Sequence, residues 1–244
     1  MKDEDLTRDS FYHGKIHILQ PLRGYRFSVD SPLLADFIQT KRSDDLLEMG
    51  TGNGIISLLL SIKSFRSITA IEIQNSLVLL AKKNVAMNHL EKKIHIVCAD
   101  LRTFQASKKF DVVFSNPPYI RKNKGNLSSL EEKSIAKHEL KCNIFDIMQR
   151  TSEFLKQTGR AYFIFPMKRK EEFNKAADSA RLRIHSTRPV CSTGGSESNL
   201  FLCALDCTSE SPIQLPSLVL FDEKGNHTPE AEAIFSGRNH AESL

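Results

Sequence analysis

From Asp44 onward, short apolar runs alternate with stretches whose apolar residues recur at helical spacing. No other feature constrains the fold as tightly. Asp45–Met49, Ile68–Ile73, Ile94–Ala99, Phe110–Ser115, Arg160–Phe165, Arg183–Val190 and Leu200–Asp206 read as strands. Between them, Ile55–Lys63, Ser76–Asn88, Ile144–Leu155 and Glu171–Ala180 read as helices. Strands separated by helices lie parallel, and the crossovers cover both faces of their sheet. The last two strands follow one another with no helix between them, so they should pair antiparallel. The expected fold is α/β: a Rossmann-like, seven-stranded, mostly parallel sheet with a C-terminal antiparallel hairpin and helices on both faces.

Two stretches stand outside the alternation, Phe11–Phe37 before the first strand and the polar, lysine-bearing Arg121–Cys142 after the fourth. A long loop inside a compact chain is usually functional or disordered. Residues 1–43 are therefore expected to form an N-terminal extension packing on a main domain at 44–208. The tail at 209–244 carries an apolar piece, Leu218–Phe221, and a helix start at Thr228-Pro229-Glu230, and should fold back on the body. The 34 basic and 29 acidic residues give 34 − 29 = +5, a mild bias that permits a polyanionic partner without requiring one. Five scattered cysteines, Cys98, Cys142, Cys191, Cys203 and Cys207, form no CxxC pair. That argues against a disulfide framework or zinc site and for a reducing, cytoplasmic setting. No run approaches the ~18 apolar residues of a membrane span.

The strand ends carry the chemistry. Glu48-Met49-Gly50-Thr51-Gly52-Asn53-Gly54 joins the first strand to its helix. Such a loop is either a tight turn or a place where a ligand meets backbone, with the helix start favouring an anionic group. The spacing is G-x-G-x-G rather than G-x-G-x-x-G, so a carboxylate suits it better than a pyrophosphate. Glu72 ends the second strand, 72 − 54 = 18 residues past Gly54, near the ~20 expected for an acid gripping ribose hydroxyls. Asp100 repeats the placement one strand further out. Either acid alone could be a solvated charge; the series argues for one crevice. The fourth strand stops at Asn116-Pro117-Pro118-Tyr119, where two prolines remove two backbone donors and fix two φ angles. This corner is a turn, or a rigid mount for an amide and a ring.

Taken in order, these motifs resemble the class I S-adenosylmethionine-dependent methyltransferases, and the last resembles their amino-group branch. Tyr25-Arg26-Phe27-Ser28-Val29-Asp30 with Leu33-Leu34, Ala136-Lys137-His138-Glu139, Leu218–Phe221 and Thr228-Pro229-Glu230 narrow the likeness. They resemble the bacterial tRNA1(Val) adenine-37 N6-methyltransferase family from about Phe11 to Phe235. The resemblance implies S-adenosylmethionine as cofactor, bound by Glu48, Gly50, Gly52, Gly54, Glu72, Asp100, Leu101 and Asn116. It implies catalysis by Asn116, Pro117, Pro118 and Tyr119. It implies a tRNA bound by Tyr119, Arg121, Lys122, Lys124, Lys137 and His138, with no metal, no membrane and a monomeric enzyme. The family commonly has Arg where this chain has Lys137, so a bidentate fork becomes a point charge.

An exocyclic amine is a poor nucleophile because its lone pair is delocalised into the ring. Two rigid acceptors, Asn116 Oδ1 and the Pro117 carbonyl, would hold its hydrogens and localise that pair. Tyr119 would offer a face for the unstacked base. Arg121-Lys122-Asn123-Lys124 lies where a flanking phosphate would pass. His138 belongs to that rim or is an ordinary exposed histidine. Lys82-Lys83, Lys92-Lys93, Lys108-Lys109 and Lys168-Arg169-Lys170 read as solvated surface. The nearest rival is N5-glutamine methylation of a release factor, which calls for a sizeable N-terminal helical domain. A DNA adenine methyltransferase calls for a target-recognition domain. A non-catalytic RNA-binding relative would not need the corner and the acids, and the glycine spacing disfavours a dehydrogenase.

Overall fold

A computed structural model describes residues 5–22, 29–117 and 143–238. The chain begins with a hairpin, β1 (Leu6–Phe11) and β2 (Ile16–Pro21), paired Leu6 to Pro21 through Phe11 to Ile16. Helix α1 (Asp30–Phe37) leads to the central strand β3 (Asp45–Met49). There follow α2 (Ile55–Leu59), β4 (Ser67–Glu72), α3 (Asn75–Met87), β5 (Ile94–Cys98) and β6 (Phe110–Ser115). The second half holds α4 (Ile144–Phe154), β7 (Leu155–Pro166), α5 (Lys170–Ser179), β8 (Arg183–Thr193) and β9 (Ser198–Asp206). The tail adds β10 (Ile213–Gln214), β11 (Leu218–Phe221) and α6 (Pro229–Ser236).

Among the described residues the main sheet has nine strands in the order β10-β8-β9-β7-β6-β3-β4-β5, with β11 also on β8. All seven expected strands are present. Strands β3 to β7 are mutually parallel where they pair, and β9 runs antiparallel to both β7 and β8. The two additions come from the tail, which lays β10 and β11 parallel along the outer edge of β8. That edge would otherwise present open backbone groups.

Alternation along each strand sends side chains to two cores. Leu46, Val112, Phe114, Tyr162 and Ile164 face a layer made by the hairpin, α1, α2, α3 and α6. Leu47, Val113, Ala161, Phe163 and Phe165 face α4 and α5. In the second core Phe173 lies 5.7, 5.4 and 5.2 Å, centre to centre, from Phe163, Phe165 and Phe201. Truncating such a residue to alanine typically costs about 3–5 kcal/mol.

The hairpin escaped the sequence reading. It packs on α3 rather than on the sheet, and its turn is built by Tyr12 and His13 at φ 55° and 56°. It also meets the C-terminal tail: at Gly237 (φ 71°) a Cβ would come within 2.6 Å of the Tyr12 ring. Helix α1 is fixed from its C-terminal end. Lys63 Nζ donates to the carbonyls of Ala35, Asp36 and Ile38 at 2.7, 2.7 and 2.5 Å, satisfying acceptors the helix leaves open.

Candidate functional site

The strand order reverses between β3 and β6: the chain runs outward from β3 to β4 and β5, then returns to β6 on the other side. Ligands of open α/β sheets bind at such a switch point, beyond the carboxyl ends of the strands. The loop after β3 and the corner after β6 face each other across it. They are tied together by Ser115, whose buried hydroxyl donates to the Met49 carbonyl at 2.7 Å. Ser115 is not legible as a site residue in the sequence, because a serine at a strand end carries no signal of its own.

The glycine loop holds its own shape. Gly50 and Thr51 both donate to the Ile71 carbonyl, at 2.9 and 3.0 Å, and Gly54 donates to the Thr51 carbonyl at 3.0 Å. Gly52 donates to Glu72 Oε2 at 3.0 Å. Gly50, Gly52 and Gly54 sit at φ 76°, 59° and 88°, the left-handed region open to glycine. The amides of Gly50, Thr51, Gly52 and Gly54 are thus all bonded inside the protein. The expectation that they receive a ligand carboxylate finds them already taken. The helix behind them is also shorter than expected, Ile55–Leu59 followed by a single 3-10 turn.

What the loop leaves for a ligand is acidic and amide side chain. Glu48 is buried at the end of β3, and its Oε2 accepts from Thr51 Oγ1 at 2.7 Å and from the Ser57 hydroxyl. Its Oε1 has no partner among the described residues. Burial pushes the Glu48 carboxyl up to about 7; the Ser57 and Thr51 hydroxyls oppose the rise and the charge of Glu72 adds to it. Asn53, fully buried between Gly52 and Gly54, has no partner for either side-chain polar atom among the described residues. A buried polar atom without a partner costs stability and calls for an explanation such as a ligand.

Glu72 is buried and lends one oxygen to Gly52 N and the other to Gln74 N, at 3.0 and 2.9 Å. A carboxylate has about four acceptor sites, so about two remain for hydroxyls. Beside it Ile73 is an exposed apolar side chain at the strand end, a flat surface for a ring that the sequence reading missed. Asp100 lies two residues past β5, half-buried, within the fork of Arg102: Nε to Oδ1 is 3.0 Å and Nη2 to Oδ2 is 2.5 Å. The Arg102 amide adds a bond to Oδ1 at 3.0 Å. Leu101 is half-buried, and its carbonyl accepts from Arg150 Nε of α4 at 3.1 Å. Arg150 also donates to the Phe104 carbonyl, so one side chain staples the whole turn to α4.

Asn116 is half-buried and Pro117 buried at the end of β6. The structure therefore gathers Glu48, Gly50, Gly52, Gly54, Glu72 and Asn116 at adjoining strand ends, with Asp100 and Leu101 one strand further out. Pro118, Tyr119, Arg121, Lys122, Lys124, Lys137 and His138 lie outside the described residues. Among the described residues no group of three or more His, Cys, Asp or Glu could hold a metal ion, and no helix is long and apolar enough to cross a membrane. Neither Glu48 nor Glu72 has a cationic partner among those residues. Two neighbouring acids without a counter-ion favour a positively charged ligand and oppose a pyrophosphate.

Comparison with known proteins agrees with this geometry. Residues 26–168 match the family model described as methyltransferase small domain. The tRNA1(Val) (adenine(37)-N6)-methyltransferase of Aliivibrio fischeri is 30% identical over 169 residues, covering 69% of this chain and 71% of that protein. The enzyme of the same name from Shewanella putrefaciens is 23% identical over 225 residues, covering 90% and 94%. Among solved structures, a predicted O-methyltransferase from Agrobacterium tumefaciens superposes with a TM-score of 0.67 at 17% identity, covering 86% of this chain and 96% of that one. Methanocaldococcus jannaschii Trm5 in complex with adenosine gives 0.59 at 18% identity, covering 84% and 56%. At such identities the structural likeness speaks for the fold alone.

Proposed function

Because the chain belongs to the methyltransferase small-domain family, and within it to the tRNA1(Val) adenine-37 N6-methyltransferases, we propose that it methylates the N6 amino group of adenine 37 in a tRNA anticodon loop, using S-adenosylmethionine. The observation that carries this reading is the Asn116-Pro117 corner at the switch point, fastened through Ser115 to the loop that ends β3.

The residues present fit the cofactor. Its net positive charge suits a crevice whose two buried acids have no cation among the described residues, and its ammonium group suits Glu48 Oε1, unpartnered among them. Glu72 keeps acceptor capacity for the ribose hydroxyls, Ile73 an apolar face for the adenine, and Asp100 and Leu101 the far rim. When bound, S-adenosylmethionine supplies an electrophilic methyl group on a sulfonium centre. The chain supplies position. Asn116 Oδ1 accepts one N–H of the target amine and the Pro117 carbonyl the other, localising the nitrogen lone pair toward the methyl group. Pro118 stiffens the corner, and Tyr119 stacks on the flipped base. Arg121, Lys122, Lys124, Lys137 and His138 line the approach of the RNA backbone. A monomer acting in the cytoplasm goes with this reading.

The test uses methyl-labelled cofactor and anticodon stem-loops carrying adenine or guanine at the position after the anticodon. Label should enter the adenine substrate and not the guanine one. Transfer to a release-factor glutamine instead would overturn the nucleic-acid assignment.

A further inference from the structure

We propose that Asn84 is a positioning residue for the cofactor loop, and that through it the N-terminal hairpin supports cofactor binding. The inference rests on reading that loop as the S-adenosylmethionine site. Asn84 lies on α3 and is fully buried, with every hydrogen-bonding group of its amide engaged. Its Oδ1 accepts from Leu19 N of β2 at 2.7 Å, and its Nδ2 donates to the Leu19 carbonyl at 2.9 Å. The second N–H of the same nitrogen donates to the Asn53 carbonyl, also at 2.9 Å. One amide therefore joins three elements: helix, hairpin and loop.

Asn88, one helical turn later, provides an internal contrast. It makes the same reciprocal pair with β2, accepting from His17 N at 2.8 Å and donating to the His17 carbonyl at 2.6 Å. Its remaining N–H turns back to the Asn84 carbonyl of its own helix, at 2.8 Å. Together the two asparagines give α3 the hydrogen-bonding edge of a strand, on which the hairpin docks. Asn84 alone carries that connection on to the loop.

The loop has reason to need such a tie. Asn53 stands between two glycines, which lose more conformational freedom on ordering than any other residue. Ala81, one turn before Asn84, lies beneath Gly54, so α3 supports the loop at two successive residues. Holding the Asn53 carbonyl sets the orientation of a residue whose own amide is buried with its bonds unmade. If that amide meets the cofactor, freeing the carbonyl leaves the amide unaimed, and the loss appears in cofactor affinity as well as in stability.

Three variants separate these effects. Asn84→Asp keeps the acceptor for Leu19 N and removes both donors; Asn84→Ala removes all three bonds; Asn88→Ala removes two hairpin bonds and one to the Asn84 carbonyl, but none to the loop. Calorimetry should give about tenfold weaker S-adenosylmethionine binding for both Asn84 variants, the worth of one well-made hydrogen bond. Asn88→Ala should lower Tm while its affinity stays within about twofold of wild type. A second measurement needs no variant. Because coupling is reciprocal, added cofactor should slow hydrogen exchange at the Leu19 amide and leave the His17 amide unchanged. Asn84 variants that lose only Tm, or a Leu19 amide indifferent to cofactor, would overturn the inference and leave the methyltransferase reading intact. Wild-type protein that binds no S-adenosylmethionine would overturn both.

Discussion

The ends of β4 and β5 each present a carboxylate, one strand apart, and the protein treats the two in opposite ways. Glu72 is buried and bonded to backbone amides; Asp100 is half-exposed and sits in the fork of Arg102. A carboxylate held by amides presents no cation for a ligand to displace. One held by a guanidinium is largely neutralised before a ligand arrives. Glu48 belongs with Glu72, since two hydroxyls and the Ser57 backbone amide hold it, with no cation among the described residues. The difference teaches where binding energy is prepared in advance. The ends of β3 and β4 form a preorganised anionic pole, and the end of β5 forms an adjustable rim.

The largest expected effect belongs to neither acid, and it separates rate from the binding that the pole and the rim govern. Asn116→Ala, at the corner after β6, removes an acceptor made fully effective only as the amine attacks. Single-turnover kcat should fall by about 10²–10³-fold with the cofactor Kd unchanged. A weakened Kd would bear out instead the cofactor contact that the family resemblance implies for Asn116. Glu72→Ala comes next. It should weaken S-adenosylmethionine by about 1–3 kcal/mol, the range for hydrogen bonds involving a charged group. Asp100→Ala should cost less, and equal losses in calorimetry would erase the contrast between pole and rim.

The alternation of strands and helices was legible because buried parallel strands are near-continuous apolar runs, and β3 is buried at all five positions. The hairpin was not, since Asn84 and Asn88 read as ordinary polar positions on a helix until β2 lies against them. The tail strands were half visible: Leu218–Phe221 is apolar enough to suggest a strand, but nothing in it says it will run parallel to β8. Of the site, the glycines, the acids and the corner were legible as types at strand ends. Their partners were not. That Glu72 would bond Gly52, or that Arg102 would grip Asp100 from two residues away, depends on how the chain turns after each strand.

Acidity offers a gentler test of the pole. Burial raises the Glu48 carboxyl from 4.5 to about 7, so between those values the folded state binds more protons than the unfolded chain. The contribution of Glu48 to stability is then fully present below about pH 4.5 and lost as pH rises through about 7. A cationic group bound at Glu48 requires the ionised form, so cofactor affinity should move the other way. With a pKa near 7, the ionised fraction rises about tenfold from pH 6 to pH 8, and affinity should rise with it. Glu48→Gln should flatten both profiles. Calorimetric titrations at pH 6, 7 and 8 that give a single Kd for the wild type would detach Glu48 from the ligand.

The smallest effect is the most discriminating, because its sign decides what the rim does. The Arg102–Asp100 pair is partly exposed, and such pairs are worth about 0.2–1 kcal/mol. If the guanidinium occupies acceptor sites that the adenine amine must use, cofactor binding has to break or share the pair. Arg102→Ala then takes the guanidinium off Asp100, and affinity should improve by up to about fivefold, the equivalent of that energy. The improvement should shrink as salt is raised, since salt already screens the pair in the wild type. If instead the fork orients Asp100 toward the adenine, the same substitution weakens binding by a similar factor. A rim that competes predicts tighter binding in Arg102→Ala at low salt; a rim that positions predicts weaker binding. The geometry favours competition, because the Arg102 guanidinium engages both Asp100 oxygens, whereas each Glu72 oxygen accepts only a backbone amide. Weaker binding at low salt would make Asp100 a prepared contact like Glu72 and dissolve the distinction between the two strand ends.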